Sequence, residues 1–259
     1  NCMITSYMQH DQCEAALQLF HHMQAIGTFP NNVTFANILS VCVNMTSLSE
    51  GRRLHSRLTS ASSCLDVVLG TALVNMYGKC GSMMDAHREF RKLPSHDVLS
   101  FNIMINGCAQ HGHGIEALQL YDQMLKISTN PNEYTFGSIL TACSHVGFVE
   151  EGYQCLKGIV EDFAVVALEH FDCMVDILGR TGRLDEAEGL LIKMPMQPTH
   201  LSWMTLLGAS RIQEDINKGK QVSKHIFELD CGDASPYVAL SNLYAIVGKM
   251  NDSESVVNS

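Results

Sequence analysis

Apolar residues in this chain come in short runs at helical spacing, and the runs come in pairs. Within residues 98–132 the first run is Phe101-Asn102-Ile103-Met104-Ile105-Asn106-Gly107-Cys108-Ala109, and the second is Ile115-Glu116-Ala117-Leu118-Gln119-Leu120-Tyr121-Asp122-Gln123-Met124. Apolar side chains three and four residues apart share one helical face, so each run predicts an amphipathic helix. His111-Gly112-His113-Gly114 predicts the turn between them, and Asn130-Pro131-Asn132 closes the unit because proline cannot continue a helix. Gly81, Gly147, Gly182 and Gly248 mark the same turn elsewhere. A helical hairpin this short cannot bury its apolar face alone, so its stability must come from stacking on neighbours.

A small residue keeps the register of that stacking. Ala16, Gly51, Ala86, Ala117, Gly152, Ala187, Gly219 and Ser253 are separated by 35, 35, 31, 35, 35, 32 and 34 residues. It follows acidic stretches (Glu14-Ala15-Ala16-Leu17, Asp85-Ala86, Glu116-Ala117-Leu118, Glu186-Ala187), which predicts the first turns of a second helix pressed closely onto a first. The chain therefore reads as an all-α repeat array, an α-solenoid of helix-turn-helix units. The units are 1–31 (partial), 32–66, 67–97, 98–132, 133–167, 168–199, 200–233 and 234–259 (truncated).

Composition changes this picture little. The apolar fraction of 46% suits a folded core, and no stretch approaches the roughly 20 uninterrupted apolar residues of a membrane span. Of ten cysteines, Cys42, Cys108 and Cys143 each fall eleven residues into a unit, and no Cys-x-x-Cys pair exists. Thiols placed by a repeat read as reduced, buried fillers. The sequons at Asn32, Asn44 and Asn251 are then chance matches. A start at Asn1 rather than Met, and an end inside the last unit, read as a fragment with further repeats and any targeting peptide upstream.

Period and residue choice separate two families of helical hairpins. Tetratricopeptide repeats keep a 34-residue period with Trp and Tyr in the first helix, whereas this chain has one Trp in all and steps that change between 35 and 31. Its residues resemble the pentatricopeptide repeat family. Units 1–31 and 98–132 resemble the P type, the latter through Phe101-Asn102 and Pro131-Asn132. Units 32–66 and 133–167 resemble the L type, through Ile38-Leu39-Ser40-Val41-Cys42 and Ile139-Leu140-Thr141-Ala142-Cys143. Unit 67–97 resembles the S type, through Ala72-Leu73-Val74-Asn75-Met76-Tyr77-Gly78-Lys79-Cys80-Gly81. The most specific signal is Met174-Val175-Asp176-Ile177-Leu178-Gly179-Arg180-Thr181-Gly182-Arg183-Leu184-Asp185-Glu186-Ala187, similar to the family's second S type. Trp203-Met204-Thr205-Leu206-Leu207-Gly208-Ala209 resembles the E1 motif, and Tyr237-Val238-Ala239-Leu240-Ser241-Asn242-Leu243-Tyr244-Ala245 the start of E2. The resemblance covers essentially all 259 residues, in an order typical of land-plant organellar RNA-editing factors. It implies a right-handed solenoid and a mitochondrial or chloroplast location, the mitochondrion ahead. The departures are Phe163-Ala164-Val165-Val166-Ala167 in place of a proline-containing linker, Asp11 at a turn-glycine position, and Met250 where Trp is usual.

What the resemblance implies about function is one base of single-stranded RNA per repeat, read by two or three side chains. Short polar groups suit this because they freeze few rotamers and offer defined donors and acceptors. Carrying over the family's fifth and last positions gives the pairs Asn1/Asn31, Thr71/Asp97, Asn102/Asn132 and Asp172/Thr199. The L-type pairs Ala36/Asp66 and Gly137/Ala167 lack a polar fifth residue and are expected to read little. The expected preference is pyrimidine, any, G, pyrimidine, any, then an uncertain base, with an edited C about four nucleotides further on. Three reading positions distinguish only about 64 sequences, which again points to repeats upstream. The plain alternative for each site is structural: Asn102 as a helix-face polar residue, Asp97 as an N-cap.

Charge and chemistry bound this reading. Seventeen Lys and Arg face 27 Asp and Glu, a net charge of −10, and phosphate neutralisation normally supplies much nucleic-acid affinity. A basic stripe on one face is compatible with that balance but has no position in the sequence. The expectation is weak binding helped by partners, which the resemblance implies are small editing-factor accessory proteins and a cytidine deaminase acting in trans. A zinc deaminase needs His-x-Glu together with Pro-Cys-x-x-Cys, and that combination does not occur here. His111-Gly112-His113 and Glu169-His170 read as turn and helix-face histidines rather than metal ligands. The chain itself is thus expected to be no enzyme, a deaminase lying in a missing C-terminal part or being supplied in trans, with no cofactor, metal, membrane or small-molecule substrate. The alternative reading is a helical-repeat scaffold that takes a peptide in its groove; a third is a decayed or partial gene product.

Overall fold

The computed structural model describes residues 2–61, 66–162, 167–229 and 235–246. Asn1, Gly248, Met250, Ser253 and most of Phe163–Ala167 lie outside the described residues. The described residues form fifteen helices and no strand: α1 (Cys2–Gln9), α2 (Cys13–Ala25), α3 (Asn32–Asn44), α4 (Leu48–Ala61), α5 (Val67–Lys79), α6 (Met83–Lys92), α7 (Val98–Gln110), α8 (Gly114–Lys126), α9 (Glu133–Val146), α10 (Val149–Asp162), α11 (Leu168–Arg180), α12 (Leu184–Lys193), α13 (His200–Ile212), α14 (Ile216–Leu229) and α15 (Ser235–Ile246). They are seven antiparallel pairs and a first helix of an eighth. The fold class is all-α, stacked helix-turn-helix pairs of the solenoid kind.

Two compact units divide the chain, Asn1–Thr135 and Phe136–Ser259. In the first, the odd-numbered helices α1, α3, α5 and α7 pack on one another in order, while α2, α4 and α6 each pack on their own partner and on the first helix of the next pair, and α8 packs on α7. In the second, α11, α13 and α15 repeat that row, with α10, α12 and α14 each packed on the first helix that follows. First helices are therefore buried from two sides, and their cores show it. Ile38, Leu39, Leu73, Val74, Met76, Met104 and Ile105 are buried in the first unit, and Met174, Ile177, Leu178, Leu206 and Leu207 in the second. Phe20 meets Phe35 edge-on at 5.9 Å, and Phe90 meets Phe101 at 5.4 Å.

The recurrent small residue does its work at the joint between pairs. Ala16, Ala86, Ala117 and Ala187 are fully buried. A Cβ on Gly51 of α4 would stand 2.3 Å from Met76 Sδ of α5, and one on Gly219 of α14 would stand 2.3 Å from Leu243 Cδ2 of α15. The helix pressed upon is thus the first helix of the following pair, a point the sequence pattern left open.

Every turn inside a pair is closed alike. The residue after the turn donates its N–H to the carbonyl five residues back: Gln12 to Tyr7, Ser47 to Cys42, Ser82 to Tyr77, His113 to Cys108, Phe148 to Cys143, Arg183 to Leu178 and Asp215 to Ser210, at 2.8–3.0 Å. This C-terminal motif requires one left-handed residue. Gly81, Gly112, Gly147 and Gly182 supply it at φ of 77–81°, while Asp11, Thr46 and Glu214 take it at 55°, 49° and 58°.

Candidate nucleic-acid interface

The last position of the units ending at Asn31, Asp66, Asp97, Asn132, Ala167 and Thr199 is the N-cap of the next first helix. Asn31 Oδ1 accepts the Thr34 N–H at 2.9 Å, Asp66 Oδ1 accepts Leu69 N–H at 2.8 Å, and Asp97 Oδ1 accepts Ser100 N–H at 2.8 Å. Asn132 does the same for Thr135 at 3.1 Å and Thr199 for Ser202 at 3.4 Å. In four of these the third residue answers, its hydroxyl accepting the cap's own N–H: Thr34, Ser100, Thr135 and Ser202, all buried. Two otherwise orphan backbone donors are satisfied each time. Ala167 has no side-chain acceptor to offer, and there His170 Nδ1 accepts the Ala167 N–H at 3.2 Å. The structural role weighed for Asp97 is therefore real, and it is shared along the row.

The fifth-position residues Ala36, Thr71, Asn102, Gly137 and Asp172 lie one turn into α3, α5, α7, α9 and α11. One pair from the sequence meets directly. Asn102 Nδ2 donates to Asn132 Oδ1 at 2.9 Å, and Thr135 Oγ1 donates to Asn102 Oδ1 at 2.6 Å. The Asn132 oxygen is thereby occupied by Asn102 and by the Thr135 N–H. What remains is one N–H and one lone pair on Asn102 and both N–H groups of Asn132. That is a donor-rich edge held by three bonds.

The other pairs are built differently. Asp172 reaches its cap through Ser202, which hydrogen-bonds it. Its Oδ1 is buried without a partner, and burial raises the carboxyl above the ordinary carboxylate range. Thr71 is buried and Asp97 is engaged with Ser100; no hydrogen bond joins the two among the described residues. Asp66, paired in the sequence with Ala36, accepts from Asn32 Nδ2 at 2.7 Å. Asn1 lies outside the described residues, and the described role of Asn31 is that of a cap.

Sequence reasoning missed the third-residue hydroxyls and Asn32. The signal was present as an Asn, Asp or Thr followed three residues later by Ser or Thr. Charge on the row is also now placed. The first helices carry only Lys79, Arg180 and Arg211 as Lys or Arg, each in its last turn. Lys79 is bonded to Gln110, and Arg180 to Asp176. Most other cations lie on second helices, many in ion pairs such as Arg52–Asp85, Arg53–Glu50 and Lys218–Glu188. No basic stripe runs along the first helices.

Residues 1–44 and 96–145 match the model of the PPR repeat family, and residues 169–197 that of the PPR repeat. Among curated relatives, pentatricopeptide repeat-containing protein At2g13600 of Arabidopsis thaliana is 38% identical over 92% of this chain and 35% of its own length. The mitochondrial At2g03880 of the same plant is 35% identical over 99% of this chain and 40% of its own. The chain spans about a third of the length of such relatives. Maize PPR10 shares the fold at a TM-score of 0.74 and 16% identity, covering 99% of this chain and 38% of that one. PPR10 in complex with an 18-nucleotide psaJ RNA element matches at 0.67 and 15% identity, covering 98% and 43%. With stacked helical pairs, matching repeat models and relatives aligned along nearly its whole length, the chain belongs to the PPR repeat family.

Proposed function

We propose that this chain binds single-stranded RNA along its first helices, one base per hairpin, as a site-recognition factor for organellar C-to-U editing. The observation that carries the reading is the Asn102–Asn132–Thr135 cluster. Its free groups are mostly donors, which complements the O2 and N3 acceptors of cytosine, while the remaining Asn102 lone pair suits the cytosine amino group. Preorganisation by three bonds lowers the entropy lost on binding. At Thr71/Asp97 the spare carboxylate oxygen suits the donor edge of guanine. Asp172/Thr199 and Asn1/Asn31 complete the reading set; Ala36/Asp66 and Gly137/Ala167 contribute little.

The P, L, S, E1 and E2 assignments belong to this proposal, supported by the helix pairs that fall within the unit bounds. The RNA-bound state of PPR10 supports the ligand class. Three relatives named mitochondrial support an organellar location. A deaminase and accessory editing proteins, supplied in trans, would act on the RNA so positioned. Fluorescence anisotropy with a short RNA carrying pyrimidine-any-G-pyrimidine, against the same RNA with both pyrimidines replaced by adenine, tests the reading. Tighter binding of the first is expected. Equal binding, or none from a demonstrably helical protein, removes base reading and leaves a peptide-binding scaffold.

A further inference from the structure

α6, α7 and the start of α8 bring three chemically distinct ligand groups together. His87 Nε2 lies 3.2 Å from Glu116 Oε2 and 3.8 Å from Cys108 Sγ, and the three ligand atoms all fall within 4.8 Å of one another. Bonds of about 2.0–2.3 Å in a tetrahedral zinc site place neighbouring ligand atoms about 3.3–3.8 Å apart. The two distances from His87 match those edges. A fourth group stands beside them: His113 Nδ1 is 3.9 Å from the same Glu116 oxygen. The turn holds the His113 backbone beside the cluster, its N–H donating to the Cys108 carbonyl at 2.8 Å.

The repeat supplies internal controls. Cys42/Glu50, Cys108/Glu116 and Cys143/Glu151 all have Cys and Glu eight residues apart. The residue after the small position of the preceding second helix is Leu17 before the first, Leu118 before the third, and His87 only before Cys108. A buried filler thiol needs no imidazole beside it.

We propose that His87, Cys108 and Glu116, completed by His113, bind one zinc-class divalent cation that ties two successive hairpins together. One thiolate, imidazole nitrogen and a single carboxylate favour a borderline-soft metal over magnesium or calcium, which take oxygen ligands. Burial and Glu116 push the Cys108 thiol up to about 12, so the metal enters by displacing the thiol proton into solvent. Glu116 is half-exposed and provides the open side. Segment-by-segment reading passed over the site because His87 belongs to a different hairpin from the other three.

Cobalt(II) titration of the whole chain, followed by zinc competition, tests the site. The expected result is one equivalent bound, a thiolate-to-cobalt charge-transfer band with tetrahedral visible absorption, and full displacement by zinc. His87→Leu is expected to weaken cobalt binding beyond about 100-fold, the upper end of what outer-shell partners alone cost. Cys42→Ser is expected to leave binding unchanged. Circular dichroism checks that each variant is folded; should Cys108→Ser unfold, the half-buried His87 decides. Absence of the charge-transfer band, or an undiminished band in folded Cys108→Ser or His87→Leu, overturns the proposal.

Discussion

Asn132 serves the fold and the proposed RNA with one amide. Its oxygen caps α9 and accepts from Asn102, while its two N–H groups are left for a ligand. The two roles separate by substitution. Asn132→Ala should lose both, costing about 1 kcal/mol of stability in urea unfolding as a lost cap does, together with pyrimidine preference. Asn132→Asp keeps a capping oxygen but removes both free donors, so stability should hold while the preference goes. At Asp172 the carboxyl is raised by burial above its unfolded value. The native state then holds more protons than the unfolded one between those two pKa values. That contribution to stability falls as pH rises through the interval and stays unfavourable above it. Asp172→Asn, which can still accept from Ser202, should raise the melting temperature at pH 7, with the gain vanishing below the unfolded carboxylate value. Thermal melts at several pH values check this.

At the scale of helices and turns, much was legible. Paired apolar runs gave the helices, and glycines marked the turns at Gly81, Gly112, Gly147 and Gly182. Asp11 read as a departure from that rule, yet its turn closes with the same hydrogen bond; Asp tolerates the left-handed region better than most residues. Thr46 and Glu214 gave no local sign, because the whole pair imposes their conformation. Thr46, β-branched at φ 49°, should carry about 1 kcal/mol of strain. Thr46→Gly is therefore expected to raise stability and Gly81→Ala to lower it, each read by chemical denaturation. The small-residue register was visible, but not which helix it faces. Gly51→Val should push against Met76 and cost about 1–3 kcal/mol through overpacking.

For the molecule as a whole, the repeat beat established the all-α array, since only stacked units need one spacing for a small residue. The caps other than Asp97 were hidden because Asn, Asp and Thr serve equally as readers and as helix starts. The Thr135 and Ser202 links were hidden because they join side chains about 30 residues apart. Charge gave a total without a location, and the first helices prove poor in cations. Three such groups would release few counterions, so log affinity for single-stranded RNA should fall with log salt no more steeply than about −2. A titration series in potassium chloride measures that slope. The most direct test of base reading is selection from a randomised single-stranded RNA pool, with sequencing of the bound fraction for the native chain and for Asn102→Asp and Thr71→Asn. A pyrimidine-any-G-pyrimidine core is predicted, with Asn102→Asp changing only its last column and Thr71→Asn only its G. An unenriched pool from the folded native chain, or columns indifferent to both substitutions, would contradict it.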